Sequence, residues 1–265
     1  PDDSKAPYYL DNLLYDRKQY VQALEMWQRS VKLDSSFPTV WRNLSLAYYN
    51  KKQDPEKARD AMEKAFALDM SDARVFLEYD QLLKKLGTKP AERLALFERH
   101  AELYQKRDDL YTEYVTLLNL LGLHEEAYRK IESHRFHPWE GGEGKITGQY
   151  ATALTEMARA ELKSGKAAEA KALLEKALVF PENLGEGKLE GQKDNNIYYY
   201  LGLAEELLGN KTAAEEAFLR ASVGTEEPAG GMYYNDQPAD MILYQGLANL
   251  KLGRDNEAGS RFHKL

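Results

Sequence analysis

Small and large apolar residues alternate along the chain with a long, regular beat. A small residue is followed four places later by a large apolar one at Ala23/Trp27, Ala58/Met62, Ala127/Ile131, Ala170/Leu174, Ala214/Phe218 and Ala258/Phe262. Arg93/Phe97 stands in the one vacant slot. Successive pairs lie 35, 35, 34, 43, 44 and 44 residues apart. A second apolar series, Trp41, Phe76, Tyr111, Leu154, Tyr198 and Ile242, keeps the same beat with spacings of 35, 35, 43, 44 and 44. Residues four apart share one helix face, so each pair predicts a helix packed through that face against a neighbour. Segments such as 54–69 and 166–180 are rich in Ala, Glu, Lys and Leu, and Pro55 sits where a helix would begin. No stretch alternates convincingly at period two, so little or no strand is expected.

A glycine precedes the small residue by five at Gly122, Gly165, Gly209 and Gly253, where the end of a preceding helix calls for a left-handed residue. Two helices joined by such a turn, with a small residue at their crossing, resemble the tetratricopeptide (TPR) hairpin; residues 198–222, YYYLGLAEELLGNKTAAEEAFLRAS, follow that pattern closely. The resemblance implies an all-α fold, a right-handed α-solenoid of about seven TPR-type hairpins filling residues 1–265 as a single array. Residues 1–136 carry regular repeats and residues 137–265 carry repeats with inserted loops.

The inserted loops account for the longer period. They fall at 137–146, 181–195 and 226–240, rich in Gly, Pro and Asn. Equivalent turns of stacked repeats lie side by side, so the three should line one edge roughly 10 Å apart. Trp139, Tyr233 and Tyr234 sit inside them where no helix period requires an aromatic, beside Glu140, Asn183, Asn235 and Asp236. Flat rings next to carboxylates and amides suit a sugar, another polar ring, a peptide or a protein partner. Packing against the solenoid edge is the alternative reading of the same residues. A second candidate surface is the groove that first helices line in TPR domains, where Arg42, Gln81, Tyr199 and Glu206 would face inward. TPR domains that bind chaperone tails hold a carboxylate with a lysine and an asparagine one turn apart in the first repeat; here Tyr8 and Asn12 stand there, which argues against that ligand.

Composition narrows the choice. Of 265 residues, 43% are hydrophobic and 30% charged, and the formal net charge is −7. That balance lacks the basic patches that grip phosphates or anionic lipid, so neither a nucleic acid nor a membrane is expected as partner. The absence of Cys rules out disulfides and thiol chemistry and leaves the compartment open, with the cytoplasm favoured. The shared string GEGK at 142–145 and 185–188 is no phosphate loop, because Ile146 and Leu189 follow the lysines in place of Ser or Thr. His134, His137 and Glu140 are too few for a zinc site, and His100 in the equivalent slot of an earlier repeat points to packing. Glu140 and Asp236 could in principle cleave a glycosidic bond, but no spacing selects a carboxylate pair. No catalytic residue, metal or cofactor is assigned, and the chain is read as a non-enzyme.

The strings RFHPWEGGEGKITGQY, PENLGEGKLEG and MYYNDQPADMILYQGLA, together with residues 1–50, resemble the carboxy-terminal TPR half of large bacterial proteins. Those proteins carry an amino-terminal domain of unknown function with a mutarotase-like sandwich. The resemblance implies a carbohydrate-related setting and a fragment whose two ends are internal. Three functions remain open at this point. The chain is a non-catalytic recognition module whose loops meet a carbohydrate or its own amino-terminal domain, a scaffold that takes a peptide or protein partner in the groove, or an accessory element of a glycoside-active enzyme.

Overall fold

The computed structural model describes residues 5–230 and 236–265. Fifteen α-helices follow one another there, with no strand among the described residues. In chain order they run α1 Lys5–Asp16, α2 Tyr20–Leu33, α3 Pro38–Ala47, α4 Pro55–Leu68, α5 Ala73–Lys85, α6 Pro90–Arg99 and the short α7 Ala101–Tyr104. Then come α8 Asp108–Leu120, α9 His124–Glu132, α10 Lys145–Lys163, α11 Ala167–Ala177, α12 Asn195–Leu207, α13 Lys211–Ser222, α14 Ala239–Lys251 and α15 Asp255–Phe262. The chain divides into two compact units, Pro1–Leu117 and Leu118–Leu265.

The local signals explain the boundaries. Pro38, Pro55 and Pro90 each open a helix, where the missing N–H costs nothing. The Asp54 and Asp72 carboxylates accept backbone N–H bonds from the first turns of α4 and α5. Gly122, Gly165, Gly209 and Gly253 all adopt φ between +72° and +80°, the left-handed turn that the sequence predicts. Lys18 and Gln53 occupy the same turn position in the first two repeats and also sit left-handed, at φ 61° and 51°. The turn before Gln53 is wound as a π-helical stretch, Tyr48–Lys52. The sequence gives no sign of that widening.

Unit 1 stacks the α1/α2, α3/α4 and α5/α6 hairpins and continues into α8. Its first core joins Ala23, Leu24 and Trp27 of α2 to Val40, Leu44 and Ala47 of α3 and Ala61 of α4. The Ser45 hydroxyl donates to the Ala58 carbonyl at 2.6 Å where α3 crosses α4. Further on, Phe66, Phe76, Phe97 and His100 pack ring against ring, His100 lying 5.0 Å from Phe66. Unit 2 holds α9 and then the α10/α11, α12/α13 and α14/α15 hairpins. There two crossings leave no room for a side chain: a Cβ on Gly202 would stand 2.4 Å from the Phe218 ring, and one on Gly246 would meet Phe262 at the same distance. Small residues at these crossings are what allows the helices to approach.

The long connections of unit 2 occupy residues 133–144, 178–194 and 223–238, between the helices just named. Lys145 and Ile146 open α10, with Ile146 fully buried. Asn195 opens α12, and Ala239 with Asp240 opens α14. Within the described residues no helix is long and apolar enough to cross a membrane.

Candidate functional site

The first two long loops of unit 2 are bound to each other. Asn183 donates through its side-chain amide to the carbonyls of Ile131 and His134, at 2.8 and 2.9 Å, closing the carboxyl end of α9. Its own carbonyl accepts from the Phe136 N–H at 2.8 Å. Gly185 is left-handed, φ +71°, and a Cβ there would stand 2.5 Å from the Phe136 carbonyl oxygen. Phe136 and Leu184 fill the space beneath, and the His134 ring edges onto Phe136 at 4.5 Å. The second GEGK string then meets the first: the Glu186 carboxylate accepts from the Gly144 N–H at 2.8 Å, at the start of α10. A carboxylate at a helix amino terminus also meets its partial positive charge.

Trp139 is half-buried, and its indole lies across Gly142 so closely that a Cβ there would fall 2.2 Å from a ring carbon. Glu140 is exposed beside it. Asp236 is half-buried and engaged in an interaction of its own. Tyr233, Tyr234 and Asn235 lie outside the described residues. The structure therefore brings Trp139 and Asn183 onto one pair of joined loops, with the Asn183 amide committed to backbone carbonyls. The third loop is anchored separately: Asn195 donates to the carbonyls of Ala221 and Val223 at 2.8 and 2.7 Å, and Gln245 donates to Thr225. Among the described residues no group of three or more His, Cys, Asp or Glu is placed to hold a metal ion.

The first-helix residues fall into two places, one in each unit. In unit 2, Tyr199 is wedged among Tyr200, Phe218 and Tyr244, with ring centroids 5.4, 6.0 and 5.8 Å away. Burial raises the pKa of its hydroxyl. The Arg159 guanidinium lies 5.2 Å over Tyr200. Glu206 pairs with Lys251 at 2.5 Å on the rim of a cavity of about 440 Å³ floored by Ala214 and Phe218.

In unit 1 a polar ladder crosses three successive first helices. The Asn43 amide of α3 donates to Asn12 of α1 at 3.2 Å. Arg42 donates to Asn43 at 3.2 Å and clasps Glu78 of α5 through Nε and Nη2, the latter at 2.6 Å. The Glu78 hydrogen bonds hold the Arg42 pKa above its ordinary value. Arg74 reaches the same carboxylate at 3.4 Å from the exposed side. A depression opens on either side of this ladder. One, about 370 Å³, is lined by Asn12, Tyr15, Asp16, Trp27, Arg42, Asn43 and Leu46. The other, about 50 Å³, includes Gln81, Tyr49, Glu78 and Lys85. Arg42 lines the first depression and Gln81 the second. Sequence reasoning passed over Trp27 and Asp16. Trp27 reads as a core residue, and it is one, being 3% exposed. Its indole N–H is nevertheless buried without a hydrogen-bond partner, and nothing in the residue pattern signals that.

A family model described as a TPR repeat matches residues 12–52, which include Asn12, Arg42 and Asn43 of the ladder. Among solved structures, the chain is similar to a tetratricopeptide repeat protein from Parabacteroides merdae, at 12% identity and a TM-score of 0.52, over 98% of this chain and 91% of that one. It is similar also to the C-terminal part of a TPR repeat-containing protein from Cytophaga hutchinsonii, at 14% identity and a TM-score of 0.50, over 97% and 93% of the two chains. At such identities the likeness establishes the fold.

Proposed function

We propose that this protein, an array of TPR repeats, is a non-catalytic interaction scaffold that holds an extended peptide segment on the first-helix face of unit 1. The segment belongs to a partner protein or to a neighbouring domain of a longer chain. The observation that carries the reading is the Asn12–Asn43–Arg42–Glu78 ladder with an open depression on each side. Side chains already held by one another lose little freedom when a ligand arrives, so their remaining donors and acceptors are preorganised for a peptide backbone. Helical-repeat scaffolds offer such extended faces because successive repeats present equivalent positions in a row.

The loop residues favour the same assignment by their own engagement. Asn183 and Glu186 spend their polar groups on Ile131, His134 and Gly144, which supports a packing role for the joined loops. An array of overlapping peptides probed with the whole chain tests the proposal. Captured peptides should lose at least about tenfold in affinity with Arg42→Ala, as expected when a central charged contact is truncated, and should be unaffected by Glu140→Ala. Capture that survives Arg42→Ala and disappears with Glu140→Ala would move the site to the loops.

A further inference from the structure

We infer that α12 and α14 of unit 2 form a second recognition surface, which takes the apolar face of an amphipathic helix from a partner protein. None of the residues assigned to the peptide in unit 1 takes part. The two helices lie side by side, and residues in the same register on them touch at two levels. Nine residues before the turn glycines Gly209 and Gly253, the Tyr200 and Tyr244 rings meet at 5.6 Å with their hydroxyls 3.3 Å apart. Near the carboxyl ends, Glu206 pairs with Lys251 at 2.5 Å. Leu203 and Leu247 stand between these levels in register and are half-buried. Leu207 is 62% exposed, Leu250 47% and Leu243 37%. Tyr200, Leu203 and Leu207 follow at i, i+3 and i+7 on α12, and Leu243, Leu247 and Leu250 at i, i+4 and i+7 on α14, so each set is a stripe along its helix. Each stripe is about 10 Å long, and the helix axes are roughly 10 Å apart. An apolar strip of this kind, left in water, marks a contact surface.

The polar groups around the strip decide what covers it. The Tyr200 and Tyr244 hydroxyls are engaged with each other, and Glu206 with Lys251. Arg159 pairs with Glu156 at 2.5 Å while its guanidinium lies 5.2 Å over the Tyr200 ring. Each of these charges is answered by a neighbour, so the rim asks for no charge in its partner. An extended segment brings backbone N–H and C=O groups, and a sugar brings hydroxyls, that need partners once water leaves. The side chains here have spent theirs on one another. A helix satisfies its backbone internally and can offer leucine or aromatic side chains alone, at i, i+3, i+4 and i+7. A strip about two helical turns long matches that set of anchors. The polar ladder of unit 1 suits the other kind of ligand, an extended backbone with groups to pair.

Two displayed peptide libraries, panned on the whole chain, test the choice. One carries peptides of about five helical turns on an alanine-rich background, randomised at i, i+3, i+4 and i+7. The other carries randomised peptides of the same length with proline at every third position, which stay extended. The helical library should yield binders with leucine or aromatic residues at the randomised positions. Leu207→Asp and Leu250→Asp, both at exposed sites, should each weaken these binders at least about tenfold, the worth of burying a leucine side chain. Tyr244→Phe and Arg42→Ala should leave their affinity unchanged, and so should added salt, since no charge pair forms. Circular dichroism confirms that each variant is folded. A helical library without binders, or with binders that ignore both leucine changes, overturns the inference. So do proline-library binders lost with Leu250→Asp and kept with Arg42→Ala, which would give the strip to an extended segment. Self-association of the chain that Leu250→Asp abolishes would give it to a second copy and overturns the choice of a partner helix. Loss of Arg42-dependent capture bears on unit 1 alone and leaves this surface standing.

Discussion

Asp80 of α5 and Arg93 of α6 clasp each other across the third hairpin through two hydrogen bonds of 2.8 and 2.7 Å, both side chains almost wholly buried. They stand at the crossing that Ser45/Ala58, Ala158/Ala170, Gly202/Ala214 and Gly246/Ala258 occupy in the hairpins before and after. Two bulky charged groups thus replace two small ones, and α5 and α6 approach less closely along their length than the helices of those hairpins. Glu113 adds a further contact to Arg93 at 3.2 Å and is itself paired with Lys84.

Removing one member of that pair strands the other in the interior. Arg93→Ala should destabilise the protein by about 3–5 kcal/mol, the range for a buried ion pair broken on one side. The double change Asp80→Ala with Arg93→Ala restores a small–small crossing and should recover more than half of the loss. Urea denaturation of the parent, the single variants Asp80→Ala and Arg93→Ala, and the double variant gives the coupling energy directly. Additive losses would mean that the hairpin does not re-close.

Gln53 and Lys18 should be improvable. Both hold the left-handed turn that glycine fills in later repeats, a conformation that costs a side chain about 1–2 kcal/mol. Glycine's greater freedom in the unfolded chain takes back part of this. Gln53→Gly should therefore raise the thermal midpoint modestly, by the equivalent of about 0.5–1 kcal/mol, while Gly209→Ala at the matching turn should lower it.

The joined loops should loosen on a single amide change. Asn183→Ala leaves the Ile131 and His134 carbonyls without their donor and should cost about 1–3 kcal/mol. Gly185→Ala should cost at least as much, from both its φ and the 2.5 Å approach to Phe136. Amide exchange at Phe136 and Gly144 is the local readout. If those amides exchange no faster in Asn183→Ala, the loops are held by something else.

Glu205 should give unit 2 a sensitivity to acid. It is nearly buried, and it accepts from Lys171 at 2.7 Å and from Asn210 at 2.7 Å. Lys171, then Asn210, hold its pKa below the ordinary 4.5. A depressed carboxylate contributes stability that is present above the unfolded value and lost as pH falls through the folded one. Glu205→Gln should therefore be less stable than the parent at pH 7, and the gap should narrow below about pH 4.5. Melting curves at neutral and acid pH measure this, and a gap independent of pH would remove the linkage.

The repeat architecture is legible because it is written twice, in the small/large pairs of second helices and in the leading apolar residues of first helices. Arg93 shows as an exception to that pattern, but its answer in Asp80 does not, since the pairing exists only across a helix crossing. Asn183 illustrates a different limit. An amide in a Gly- and Pro-rich loop reads alike whether it faces a ligand or a carbonyl, and only the backbone path decides. Arg42 and Gln81 fall on first helices by the repeat register, whereas the unpartnered N–H of Trp27 is invisible to any periodicity.

The contact between the two GEGK strings has a consequence for how such a chain could have arisen. Glu186 of the later string closes the helix that begins within the earlier one, so the motif recognises a neighbouring copy of itself. A lengthened repeat gains this bond only when the next repeat is lengthened in step. Duplication of a whole repeat delivers both halves at once, and loss of either insertion alone would leave its partner without a counterpart. The two loops are in that sense a single heritable unit, and trimming them one at a time is the path that variation within this protein should avoid.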